Sequence, residues 1–113
     1  MDEHKKKILI IEDDEHISRI YDLSFSKEGY KTVFAINGED GLEKIGTEKP
    51  DLIILDMMLP KKDGFCVIEE VKRNPELARI PILVLSNLGQ KSDQDRARSL
   101  GANEYLVKVE YSM

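Results

Sequence analysis

Short apolar runs and segments of helical period alternate along the chain, with Gly or Pro at most joins. Ile8–Ile11 is an unbroken β-branched and Leu run, the mark of a strand buried on both faces. It stops abruptly at Glu12-Asp13-Asp14-Glu15. Ile17, Ile20, Tyr21 and Phe25 then recur at helical spacing, and Gly29 supplies a stop. Thr32–Ile36 reads as a second strand closed by Asn37-Gly38. Leu42 and Ile45 mark a second helix that Pro50 ends, and Leu52–Leu55 is a third strand running into Asp56. After the loop Leu59-Pro60-Lys61-Lys62-Asp63-Gly64, a third helix turns Phe65, Ile68 and Val71 inward. Pro81 introduces a strand at Ile82–Leu85 that ends at Ser86. A fourth helix is predicted over Asp93–Leu100, capped by Gly101, and a fifth strand over Tyr105–Val107 ends at Lys108. Four strand–helix units closed by a strand predict an α/β fold with a parallel sheet.

Length and composition narrow the class. The 113 residues fit one domain, spanning 1–113. With 41% hydrophobic and 35% charged residues, the chain can bury one core. Its net charge of −5 opposes direct nucleic-acid binding, which needs a basic footprint. No apolar run approaches the roughly 20 residues that cross a bilayer, so no membrane partner is expected. The single Cys66 forms neither an internal disulfide nor a cysteine metal site, which suits a reducing, cytoplasmic compartment.

In such sheets ligands sit beyond the carboxyl ends of the strands. There the sequence places Glu12 and Asp13 after strand one, Asp56 after strand three, Ser86 after strand four and Lys108 after strand five. Each residue alone has a plainer reading. Asp13 or Asp14 could cap the next helix, Asp56 could be a loop carboxylate, Ser86 a turn residue and Lys108 a solvated lysine. Together they make one site. Three carboxylates in one cleft repel, and a hard divalent cation relieves that repulsion. Magnesium prefers one or two carboxylates, waters and a phosphate oxygen, which Asp13 and Asp56 could accommodate. An aspartate is a feasible nucleophile toward phosphorus, Lys108 could neutralise a phosphoryl oxygen and Ser86 could donate to another. The chemistry implied is formation of an aspartyl phosphate.

The residues Ile8-Leu-Ile-Ile-Glu-Asp-Asp14, Asp51-Leu-Ile-Ile-Leu-Asp-Met-Met-Leu-Pro-Lys-Lys-Asp-Gly64, Pro81-Ile-Leu-Val-Leu-Ser86 and Gly101-Ala-Asn-Glu-Tyr-Leu-Val-Lys108 carry a resemblance. In this order they are similar to the receiver domain of two-component response regulators, of the chemotaxis-regulator kind, over essentially the whole chain. That resemblance implies a flavodoxin-like, doubly wound, five-stranded parallel sheet of order 2-1-3-4-5. It implies a signalling switch rather than a turnover enzyme. Asp56 would accept a phosphoryl group with Mg2+, from a histidine kinase, a phosphotransfer protein or a small phosphodonor. Asp13 and Asp56 would bind the metal directly, Met58 through its backbone carbonyl and Glu12 through water. Ser86 would follow the phosphoryl group, Tyr105 would be the switch aromatic that turns inward, and Lys108 would hold the phosphoryl oxygens. No downstream effector can be named from these residues.

Several positions depart from that pattern. Val109 replaces the usual proline after Lys108. A cis peptide there would cost roughly 2.5–4 kcal/mol, so a trans bond is expected. Asn87 is larger than the small residue usual after Ser86 and should narrow access. Apolar Met58 and Leu88 flank the expected path of attacking water, which predicts a long-lived phosphoryl group. The usual fifth helix is absent, which implies either a fragment, with Ser112 as the cap of a lost helix, or a surface covered by a homodimer or another partner. The missing helix and Val109 also motivate a phosphorylation-independent pseudo-receiver, an interaction or dimerisation module. A hydrolase resembling the haloacid dehalogenases fits less well, because Asp13-Asp14-Glu15 lacks that group's Asp–x–Asp pattern. Cys66 is expected as a small buried hydrophobe on the inward side of the third helix. Met57 is expected in the core, His16 exposed, and His4 in a mobile, basic N-terminus.

Overall fold

A computed structural model describes residues 5–108. The elements run β1 (Lys7–Ile11), α1 (Glu15–Lys27), β2 (Lys31–Ala35), α2 (Gly38–Glu48), β3 (Leu52–Leu55), α3 (Gly64–Arg73), β4 (Ile82–Ser86), α4 (Lys91–Leu100) and β5 (Glu104–Val107). Every strand pair is parallel, and the sheet order is β2-β1-β3-β4-β5. This is the flavodoxin-like order expected from the sequence, with the order reversing between β1 and β3. Val109 and Ser112, on which the peptide-bond and capping expectations rest, lie outside the described residues, as does His4.

The central strands are apolar on both faces because helices cover both. Along β1, Leu9 and Ile11 join the larger core beneath α2, α3 and α4. Ile8 and Ile10 point the other way and pack with Tyr21 of α1 and Ile54 of β3. The two faces are covered unequally. Beneath α2–α4 the sheet residues Ile53, Leu55, Ile82 and Val84 are fully buried. On the α1 face Leu52, Leu83 and Leu85 are only partly buried, and among the described residues α1 is the one helix packed there. Within α1, Ile17, Tyr21 and Phe25 share the inward stripe, whereas Ile20 lies about 100° round the helix from Tyr21 and is 45% exposed.

Cys66 is a correction. It is exposed on α3, not buried. The helix buries Gly64, Phe65, Val67, Ile68 and Val71, and at about 100° per residue position 66 falls opposite the centre of that arc. What Cys66 contributes is its backbone N–H, which donates to the capping Asp63 carboxylate at 3.0 Å. The fourth helix starts two residues earlier than its pattern suggested, at Lys91, without a side-chain cap from Gln90.

The loop between β3 and α3 leans on the start of α2. A Cβ at Gly38 would stand 1.9 Å from the carbonyl oxygen of Lys62, and one at Gly41 would stand 2.7 Å from Ile11 Cδ1. Absence of side chains on this face lets α2 pack close to both β1 and the loop. Gly46 in the same helix faces open space. Gly38→Ala should therefore destabilise the fold by about 1–3 kcal/mol through overpacking against backbone. Gly46→Ala should stabilise it by about 0.5–1 kcal/mol through lower chain entropy and better helix propensity. Urea unfolding midpoints of the two variants should move in opposite directions.

Candidate functional site

Four strands deliver chemical groups to one point on the carboxyl rim. The β1 ladder continues one residue past the strand, with the Glu12 N–H donating to the Ala35 carbonyl at 3.0 Å. This aims Glu12 inward, where it is 4% exposed. Asp14 is consumed as the cap of α1, its Oδ1 accepting from the N–H groups of His16 at 2.9 Å and Ile17 at 3.4 Å. The exposed Asp13 is thereby left to the rim. Asp56 is positioned by its own N–H, which donates to the Ile11 carbonyl at 3.1 Å.

Both oxygens of the buried Asp56 carboxylate are engaged. Oδ1 accepts from the Met58 N–H at 3.0 Å and from the Ser86 hydroxyl at 2.8 Å. Oδ2 accepts from the Lys108 ammonium at 3.1 Å. Lys108 also donates to Glu12 Oε1 at 2.8 Å, and the second oxygen of Glu12 accepts from the Asp14 N–H at 3.2 Å. Ser86 is fully buried, and its hydroxyl oxygen accepts from the Leu88 N–H at 3.2 Å. The buried Tyr105 donates its hydroxyl to the carbonyl of the same Leu88. Asp56, Ser86, Leu88 and Tyr105 thus form one hydrogen-bonded series from the centre of the sheet to its edge.

Glu12, Asp13 and Asp56 can each turn a carboxylate oxygen into a cluster lying within 4.8 Å. These are hard, anionic donors, and Asp13 opens to solvent, so the set suits a cation such as magnesium that keeps several waters. Burial raises the pKa of Glu12 above its ordinary 4.5, and the nearby charge of Asp56 adds to this. Hydrogen bonding from Lys108 pulls in the opposite direction without reversing it. For Lys108 burial favours the neutral amine, but the hydrogen bonds and charges of Glu12 and Asp56 outweigh it and the net direction is upward. Burial also pushes up the Tyr105 phenol.

The residues singled out from the sequence therefore converge. Glu12, Asp13, Asp56, Ser86 and Lys108 share one cluster, and Tyr105 joins it through Leu88. Met58 contributes a backbone N–H to Asp56, while 58% of the residue's surface stays exposed. His16 is exposed and Met57 buried, both as expected. Two contacts were missed, the Glu12–Lys108 ion pair and the role of the Leu88 peptide. The first joins residues 96 positions apart and leaves no spacing signal in the sequence.

Over residues 8–111 the sequence matches the response regulator receiver domain. The chain belongs to that family. PhoP of Bacillus subtilis, an alkaline phosphatase synthesis transcriptional regulatory protein, is 39% identical over 103 residues, covering 91% of this chain and 42% of that protein. RpaA of Synechocystis, a DNA-binding dual master transcriptional regulator, is 41% identical over 102 residues, covering 90% of this chain and 42% of its own. This receiver domain thus spans less than half the length of either regulator. Among solved structures, the Mn(2+)-bound form of response regulator Rcp1 superimposes with a TM-score of 0.85 at 33% identity, covering 91% of this chain and 81% of that one.

The raised pKa of Lys108 fixes the sign of one pH effect. A lysine whose folded value exceeds its unfolded value of 10.5 stabilises the fold fully below 10.5, and that contribution is lost as pH rises through the folded value. Tyr21 and Tyr105, both raised by burial, slope the same way. Urea unfolding of the receiver domain should show stability falling as pH rises past the ordinary tyrosine and lysine values of 10.0 and 10.5, with a shallower fall in Lys108→Gln.

Proposed function

We propose that this receiver domain is a phosphorylation-controlled switch in which Asp56 accepts the phosphoryl group. The observation that carries this reading is the Asp56 carboxylate itself. It is 7% exposed, with a hydroxyl donor on one oxygen, an ammonium on the other, and two more carboxylates at its side. In the transfer an Asp56 oxygen attacks phosphorus, the bond from phosphorus to the donor atom breaks, and the electron pair leaves with the donor. The donor is a histidine kinase, a phosphotransfer protein or a small molecule such as acetyl phosphate.

Asp13 and Asp56 would hold Mg2+ directly, with the Met58 carbonyl, and Glu12 through water. The bound ion would neutralise charge on the phosphoryl oxygens. The Mn(2+)-bound form of the similar Rcp1 supports a divalent cation here. Ser86 turns its hydroxyl from Asp56 to a phosphoryl oxygen, and Lys108 moves its ammonium onto another. Tyr105 already lies inward, 3% exposed and bonded to the Leu88 carbonyl. The Ser86 shift therefore acts on it through Leu88 and not by turning it in, and changes the surface around α4 and β5. This is a population shift driven by contacts that only the phosphorylated state makes. The domain changes state and is not a turnover enzyme.

The names of the relatives point to transcriptional output. DNA contact is assigned to the remainder of a longer regulator, because this domain is acidic. Residues 1–113 are read as one domain acting in the cytoplasm. No helix among the described residues is long and apolar enough to cross a membrane. A homodimer or another partner would cover the α1 face, where Leu52, Leu83 and Leu85 are only partly buried.

Incubation with Mg2+ and acetyl phosphate should add one phosphoryl group by intact mass, and Asp56→Asn should add none. No adduct on the wild type at saturating donor would favour the pseudo-receiver. Met58 and Leu88 cannot hydrogen-bond an attacking water through their side chains, so the phosphoryl group should be long-lived. Met58→Asn should speed its loss about tenfold in a phosphate-release assay, a modest share of what a positioned polar group can supply.

A further inference from the structure

Glu12 and Lys108 lie at the ends of β1 and β5, which the sheet order separates by β3 and β4. Three strand spacings amount to roughly 14 Å, yet the Lys108 ammonium stands 2.8 Å from Glu12 Oε1. Both side chains are sequestered, Glu12 at 4% and Lys108 at 15% exposure. Edge-strand pairing ends at Ser86↔Val107, one residue short of Lys108, so the ladder does not fix this residue. Among the described residues the partners of its ammonium are Glu12 and Asp56. Glu12 is itself braced, since its other oxygen accepts the Asp14 N–H at the first turn of α1.

We propose that Glu12 is a positioning residue for Lys108, and that it holds the ammonium beside Asp56 Oδ2 ready for an incoming phosphoryl oxygen. This rests on the reading of Asp56 as phosphoacceptor and goes beyond a water-mediated role for Glu12 at the metal. Length is the requirement. A side chain one methylene shorter would fall about 1.5 Å short and lose the ammonium, while keeping its negative charge near the cation. A glutamine would keep the reach and an acceptor oxygen while losing the charge.

The test uses Glu12→Asp and Glu12→Gln in the 15N-labelled chain, with folding checked by the backbone amide spectrum. An ammonium held by two carboxylates exchanges its protons slowly, and its 15N signal is identified by its loss in Lys108→Met. Glu12→Asp should lose that signal and phosphorylate about tenfold more slowly or worse at saturating Mg2+ and acetyl phosphate, as expected for a misplaced contact. Its half-saturating Mg2+ should stay within about twofold, since the carboxylate charge remains. Glu12→Gln should retain the signal but need more Mg2+. A Glu12→Asp variant that kept both signal and rate would overturn the proposal. Phosphoryl uptake by the wild type judges the role of Asp56, and the ammonium signal judges the tether, so the two failures are distinguishable.

Discussion

The Lys108 ammonium spans the rim from the edge strand to two buried carboxylates, and the arrangement of the site depends on it. Asp56 and Glu12 are nearly removed from water beside one another. Without a cation their repulsion and lost hydration would favour protonation of one of them or a move toward solvent. A positive charge bound to both keeps the two side chains inward and gives each a hydrogen bond. This also explains why the order of strands matters more than their exact ends. With β1 beside β3, and β4 and β5 following, residues distant in sequence share one ammonium.

Much of this architecture was legible in the chain because it follows from local rules. Unbroken runs such as Leu52–Leu55 signal strands covered on both faces, and their polar successors mark the rim. The weakest prediction was the start of α4, where Ala97 is the one buried residue and Gln90 supplies no side-chain cap. A helix so polar leaves little periodic signal. Cys66 faces out because it stands about 100° from Phe65 and about 160° from Ile68 round the helix. The Glu12–Lys108 pair lies 96 positions apart, and spacing alone cannot say how far two flexible side chains reach.

The two faces of the sheet bury cores of unequal size. The layer of α2, α3 and α4 buries the larger core and fixes the β3–α3 loop through the close approach at Gly38. Arg96 of α4 lies 4.1 Å above the Phe65 ring of α3, tying the helix after the Ser86 loop to the one after Asp56. Polar groups near the site are satisfied throughout, with no buried unpaired side-chain atom among the described residues. Rearrangement there must therefore exchange partners rather than find vacant ones.

Leu88 illustrates what such exchange entails. Its N–H serves Ser86 and its carbonyl serves Tyr105, so a single residue of backbone is gripped from both sides. Side chains attached to separate strands would otherwise relax independently. Joined through this residue, the serine and the tyrosine are linked by hydrogen bonds. If Ser86 leaves Asp56 as proposed, the loop after β4 becomes a lever whose short arm rests on the carboxylate and whose long arm reaches the outer edge of the sheet.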